Sequence, residues 1–218
     1  MISLTEENYL KSIFHLQETG SPVSTNRLAE KMNTRAASVT DMLKKLKNKK
    51  FLTYEKYYGC KLTPKGRKFA VSVIRRHRLW EYFLVEKLGF DWHEVHEIAE
   101  QLEHVQASGL TEKLEAYLGH PKTDPHGDPI PDQEGNFERM SNAPLSDWPL
   151  QKPAVIEAVG EQSHGLHQAM TRKHLKIGTN VKVDFRNAFD GSIDLLVEGQ
   201  ITTTIGHNMA TNIYVKEA

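Results

Sequence analysis

Between residues 24 and 62 the apolar periodicity changes in an order that few folds accommodate. A short amphipathic run, NRLAEKM, is followed by the tight connection Asn33-Thr34-Arg35. A longer run, AASVTDMLKKLKNKKFL, comes next, and from Thr53 to Leu62 the pattern becomes alternation. Apolar residues recurring at i, i+3 and i+4 demand helix, and alternation demands strand. A short helix, a tight turn and a longer helix form a helix-turn-helix, with Val39, Leu43 and Leu46 as the inner face of its second helix. The alternating segment reads as a hairpin turning at Tyr58-Gly59, and a hairpin directly after a recognition helix is a wing. Upstream, Ser3 or Thr5 caps a first helix, with Glu6 in the capping-box position after Ser3 and Tyr9, Leu10, Ile13, Phe14 and Leu16 on one face. Downstream, Thr63 and Pro64 open a basic helix that runs on through Arg75, Arg76, His77 and Arg78.

Small and hydroxyl residues crowd the start of the second helix. Ala37, Ser38 and Thr40 can approach base edges and thymine methyls, and Arg35 can reach a guanine. Lys44 and its neighbouring lysines, with Lys56 in the hairpin, supply sequence-independent attraction to phosphates. Charge is segregated accordingly. Residues 1–78 hold 17 Lys/Arg against 6 Asp/Glu, residues 79–150 hold 4 against 15, and the remainder holds 7 of each. A basic end beside an acidic, histidine-rich middle predicts two ligands, a polyanion such as double-stranded DNA and a cation. With 218 residues, 39% hydrophobic and 26% charged, the chain reads as one to three globular domains. No apolar run approaches the ~20 residues of a membrane span, and the start is charged and amphipathic rather than signal-like. The single cysteine, Cys60, excludes an intrachain disulfide and fits a reducing cytoplasm, which is the expected location.

The acidic middle concentrates possible ligands in residues 77–104, predicted as two helices. His77 and Glu81 are neighbours on the first. On the second, His96, Glu100, Glu103 and His104 share one arc beside an apolar arc of Val95, Ile98, Ala99, Leu102 and Val105. A solvated Glu/His face and a metal site both fit that pattern. A later loop, TDPHGDPIPD, projects Asp124 and His126, which read equally as a turn aspartate and a loop histidine. Surface positions are expected for His93 and His120. From residue 150 onward, short strands and one helix ending at Gly178 suggest a small SH3-like barrel. No HExxH pair and no nucleophile beside a base is present, so a metallohydrolase is the remote alternative.

The segments SLTEENYLKSIFHL, the winged helix-turn-helix, RRHRLWEYFL, the E-x-x-E-H at 100–104, and PHGDPIP occur together in order. In this the whole chain resembles the diphtheria-toxin-repressor family of metal-dependent transcription regulators. The resemblance implies a mainly α protein with a small amount of β. It has a winged helix-turn-helix DNA-binding domain (1–72), a helical metal-binding and dimerisation domain (73–145) and a C-terminal SH3-like (FeoA-like) β barrel (150–218). It further implies a homodimer that takes up a divalent metal, usually Mn(II) or Fe(II), and then binds palindromic operators to repress metal-uptake genes. One implied ligand set is Asn8, His77, Glu100, Glu103 and His104. A second is Glu81, Asp124 and His126 with a carboxylate from the C-terminal domain, Glu161 before His164; in other relatives it is His77, Glu81 and His96. Oxygen donors at Asn8, Glu100 and Asp124 favour Mn(II) over softer metals. Asn8 departs from the aspartate of the manganese-responsive branch, and Lys11 replaces a carboxylate used there, which tells against a two-metal cluster of that kind. The principal alternative is a constitutive winged-helix regulator whose acidic middle serves dimerisation alone.

Overall fold

The computed structural model describes residues 2–17, 21–92, 94–138, 140–160 and 164–218, the side chain of His164 excepted. The backbone falls into two compact units: Met1–Trp80 with Ile98–His120 and Ile130–Phe137, and Glu81–Glu97 with Pro121–Pro129 and Glu138–Ala218. Among the described residues no helix is long and apolar enough to cross a membrane.

The first unit opens with helix α1 (Leu4–Leu16), and its start obeys the capping-box expectation in full. The Glu6 amide donates to Ser3 Oγ at 3.3 Å, and the Ser3 amide donates to Glu6 Oε2 at 2.7 Å. Glu6 is also buried against Lys49, 2.7 Å away. Burial alone would raise its carboxyl; Lys49, the Ser3 amide and Lys45 more than offset that and bring it down to about 2. Helices α2 (Thr25–Lys31) and α3 (Ala36–Asn48) follow, the former capped by Ser24. Strands β1 (Leu52–Glu55) and β2 (Gly59–Leu62) pair antiparallel to make the wing. Leu10, Ile13, Leu28, Val39, Leu43 and Leu46, all on the faces that helical periodicity marks as inward, form the core with Val23, Leu52 and Cys60. Cys60 is a packing residue here, its thiol pushed up to about 12 by burial.

Two boundaries in this unit differ from expectation. α3 stops at Asn48 rather than running to Leu52, because Lys50 adopts φ 62 and turns the chain so that the Phe51 amide bonds the Leu46 carbonyl. The wing turns through residues 56–58 rather than at Tyr58-Gly59. Tyr57 has φ 72, and Gly59, already in β2 with φ 97, sits where a Cβ would lie 2.5 Å from the Val23 carbonyl oxygen.

Helix α4 (Pro64–Leu88) starts as predicted, with Pro64 at its first position and Thr63 Oγ1 accepting from the Gly66 amide at 3.1 Å. Along it Leu79 and Leu84 are buried while Leu88 is exposed. Helices α5 (Val95–Leu102) and α6 (Leu110–Tyr117) complete the helical part. α5 runs to Leu102 and its hydrogen-bond ladder reaches Glu103, whose amide donates to the Ala99 carbonyl at 2.8 Å, so of the expected arc only His104 lies past the helix end.

The second unit is built on an antiparallel sheet of strands β3 (Ala143–Pro144), β4 (Pro153–Val159), β5 (Asn180–Arg186), β6 (Ile193–Val197), β7 (Ile201–Ile205) and β8 (Ile213–Glu217). Their order is β3-β8-β4-β5-β6-β7. The fold is SH3-like, but β3 and β7 remain edges, so hydrogen bonding does not close the barrel. Ile156, Val183, Ile193, Leu195, Ile205, Ile213 and Val215 alternate inward to form the core. Helix α7 (His164–Arg172) ends well before Gly178, because His174 turns left-handed at φ 59 and the Leu175 amide caps the Met170 carbonyl. A short helix α8 (His207–Thr211), not foreseen, separates β7 from β8.

Candidate metal centre

In the second unit, three of the expected ligands converge. Glu81 on α4 and His126 in the loop before β3 are each 0% exposed, and Asp124 is 4% exposed. One donor atom from each lies within 4.8 Å of the others. The loop does not project, contrary to expectation. Asp124 Oδ1 accepts from the His126 amide at 2.8 Å and from the Asp128 amide at 3.0 Å, folding the loop inward. Oδ2 of the same carboxylate is fully buried. The turn bonds fall on Oδ1 rather than on Oδ2.

The His126 ring is oriented by its far nitrogen. Nε2 lies 2.8 Å from the Trp92 carbonyl oxygen, which accepts only from a protonated ring nitrogen and so places the lone pair of the neutral imidazole on Nδ1. Nδ1 is buried and makes no hydrogen bond among the described residues. It faces Glu81 Oε2 at 3.7 Å and Asp124 Oδ1 at 3.9 Å. Those separations exceed hydrogen-bond length, yet fall within the ~4.2 Å that two ligands about 2.1 Å from one ion can span. Burial disfavours the imidazolium. Glu81, then Asp124 and the Trp92 carbonyl, outweigh that and hold the pKa above its ordinary value. The Trp92 ring packs edge-on to both His126 and His167, at 5.1 and 4.6 Å between centroids, and shields the site. His96 Nδ1 sits 3.2 Å from Glu81 Oε1. Two carboxylates and one or two imidazoles, with no thiolate, suit a borderline-hard divalent ion, so the residues present fit the group.

The site depends on Gly127. Its φ is 87, and a Cβ there would lie 2.0 Å from the Glu157 carbonyl oxygen. Gly127→Ala is expected to cost on the order of 2–4 kcal/mol by urea denaturation and to weaken metal binding with it. A variant as stable as the parent would show that the loop relaxes without disturbing His126.

In the first unit, the other implied ligand set has different neighbours. Glu103, 0% exposed, receives the Lys11 ammonium on both carboxylate oxygens at 2.8 Å, and His77 Nδ1 lies 2.6 Å from its Oε2. Although burial would raise the Glu103 carboxyl, His77 and Lys11 hold it below the ordinary range. His104 Nδ1 lies 2.7 Å from Glu7 Oε2 and its Nε2 lies 3.7 Å from Glu103. Glu7, which is buried, also accepts from Gln106 and pairs with Arg76 at 3.5 Å. Glu100 is half exposed and 3.6 Å from Lys11. Asn8 turns a buried amide oxygen inward that makes no hydrogen bond among the described residues. The parts that escaped sequence reasoning are Glu7, Arg76, Gln106 and the Trp92 carbonyl. Glu7 had a signal, an acidic residue beside Asn8 on the same helix turn; a backbone carbonyl leaves none.

Arg35, Ala37 and Ser38 are exposed at the start of α3, and Lys44 and Lys56 are exposed beyond them. Thr40 is half buried, its hydroxyl donating to the Ala36 carbonyl. An open groove of about 650 Å³ runs along Ser24, Thr25, Ala36, Thr40, Lys44 and Lys56. His120 is exposed as expected. Glu161 and His93 lie outside the described residues, as does the His164 side chain.

Comparison with known proteins agrees over the whole length. The profile of the iron-dependent repressor N-terminal DNA-binding domain matches residues 1–60, that of the iron-dependent repressor metal-binding and dimerisation domain residues 63–132, and that of the FeoA domain residues 143–217. The iron-dependent repressor IdeR of Mycobacterium bovis is 29% identical, over 98% of this chain and 97% of its own. A solved manganese-dependent transcriptional repressor in complex with manganese is 30% identical with a TM-score of 0.87, over 98% of this chain and 100% of that one. The manganese regulator SloR is 32% identical with a TM-score of 0.76, over 98% of both chains. The helix-turn-helix, the helical middle and the SH3-like unit thus have their counterparts in one group of proteins, and the chain belongs to the diphtheria-toxin-repressor family of metal-dependent transcriptional repressors.

Proposed function

We propose that this protein is a Mn(II)-responsive repressor that works in the cytoplasm as a homodimer on palindromic operators of metal-uptake genes, with Glu81, Asp124 and His126 as its regulatory ligands. The observation that carries this reading is the lone pair of His126 Nδ1, buried between two carboxylates and aimed by the Trp92 carbonyl. When bound, a divalent cation supplies the charge that neutralises Glu81 and Asp124 together. The protein's own residues do the rest. Asp124 folds the loop, Trp92 fixes the imidazole tautomer, and Glu81 delivers the event to α4, which begins at the wing and runs without a break to Leu88. Glu161 is the first candidate for a further carboxylate, and His96 for a further imidazole. Mn(II) is preferred to softer ions because the ligands are oxygen and imidazole and Cys60 is buried in the core of the other unit. Fe(II), which shares these preferences, is the second choice.

Metal and operator affinities must be linked reciprocally. The test is to select DNA from a random pool with Mn(II)-loaded protein and then titrate the selected palindrome with and without Mn(II). Binding is expected to strengthen tenfold or more with Mn(II), in keeping with a coupling of about 1–3 kcal/mol. Equal affinity in Mn(II) and in chelator would instead establish a constitutive winged-helix regulator.

A further inference from the structure

We propose that the ligand set around Glu103 is not a metal site in this protein, and that Lys11 is a built-in cation which ties α1 to the segment after α5 whether or not metal is present. Both Glu103 oxygens are engaged by the Lys11 ammonium at 2.8 Å, and one of them also lies 2.6 Å from His77 Nδ1. A metal ligating Glu103 would have to displace a primary amine whose side chain is only 13% exposed.

Charge excludes the ion as firmly as geometry. Two carboxylates are fully buried here, Glu7 and Glu103, and two cations answer them, Arg76 and Lys11. His77 and His104 complete the contacts to the same two carboxylates. With Lys11 still in place, an added divalent ion would leave an excess of two positive charges over the two buried carboxylates, and of one when the half-exposed Glu100 is counted, in a poorly solvated place where an unmatched charge is costly. Asn8 brings an oxygen but no charge to offset Lys11. Glu100 is the one remaining acidic group of the set; its side chain is half exposed and already within 3.6 Å of Lys11.

This has a regulatory consequence. A clamp on α1 made by metal opens when metal leaves, whereas a clamp made by lysine does not. The metal response of this chain then passes through the Glu81, Asp124 and His126 group alone. That consequence rests on the function proposed above; the identity of the cation beside Glu103 does not.

The full-length protein, equilibrated with excess Mn(II) and dialysed, is assayed for metal content by mass spectrometry. One Mn(II) per chain is expected, one again in Glu100→Gln, and none in His126→Ala. Glu100→Gln alters an exposed side chain and is suited to the test because it should fold. Two Mn(II) per chain in the parent, one of them lost in Glu100→Gln, would overturn the inference. A parent count of one that survives His126→Ala but vanishes in Glu100→Gln would overturn both the inference and the proposed function. A parent count of zero would overturn the proposed function alone. Asn8→Asp combined with Lys11→Glu is expected to raise the count to two. For the tether, Lys11→Met is expected to keep one Mn(II) and to bind the selected operator at least tenfold more weakly at saturating Mn(II), with Lys11→Arg restoring most of the affinity. Parent-like operator binding by Lys11→Met would refute the tether.

Discussion

His126→Ala is expected to lower Mn(II) affinity at least a hundredfold and to remove the Mn(II)-dependent gain in operator binding, while the protein stays folded. The imidazole donor is held from its far side by the contact from Nε2 to the Trp92 carbonyl. Losing it removes a neutral donor and also leaves Glu81 and Asp124 to repel each other across the vacated space. The companion variant Asp124→Asn separates turn from ligand. An amide oxygen can still accept from the His126 and Asp128 amides, so the loop persists, but the anionic donor is gone. If Asp124→Asn binds Mn(II) as tightly as the parent by calorimetry, Asp124 is a turn residue and nothing more. Protonation adds a pH signature. The pKa of His126 is raised in the folded apoprotein, so its charge stabilises that state fully below about 6.5, and the benefit is lost as pH rises through the folded value. Mn(II) must expel this proton. Its affinity should climb with pH through the same interval and level off above it, and His126→Ala should flatten the profile.

The parts of the fold that sequence reasoning recovered were those governed by local rules. The capping box of Ser3 and Glu6, the Thr63-Pro64 helix start and the switch from helical period to alternation after Phe51 each depend on residues a few positions apart. Where it failed, the deciding contact was distant or the turn was left-handed. A helical wheel groups His96 with Glu103, whereas His96 lies against Glu81 and Glu103 against Lys11 and His77. The Asp124 loop looked solvent-facing because turn chemistry and buried ligands use the same residue types. Lys11 was recognisable as a substitution in the family pattern, but its pairing with Glu103 joins residues 92 positions apart. The candidate ligands and their two sets were thus readable in the family pattern, whereas the lysine seated on the Glu103 carboxylate was not.

A carboxylate at the start of α3 is expected to have effects of opposite sign on folding and on DNA. Ser38→Glu places a negative charge in the exposed first turn of the helix, where the N-terminal dipole favours it by about 0.3–1 kcal/mol, so thermal stability should hold or rise slightly. The same amide-rich, electropositive end is what would approach the phosphates and base edges of an operator, and a fixed anion there repels them. Operator affinity should fall more than a hundredfold at low salt, with Mn(II) content unchanged. Lys44→Ala and Lys56→Ala offer a graded comparison. Each removes one exposed cation beside the groove and should weaken specific and non-specific DNA alike, reducing the slope of log affinity against log salt by about 1. Arg35→Ala, by contrast, should cost about 1–3 kcal/mol on the selected operator and far less on unrelated DNA. If Ser38→Glu bound the operator as the parent does, with melting temperature and Mn(II) content also unchanged, the recognition surface would have to lie elsewhere than on α3. If it lost DNA and stability together, the helix would have been broken rather than the interface, and Arg35→Ala would then decide whether α3 reads sequence.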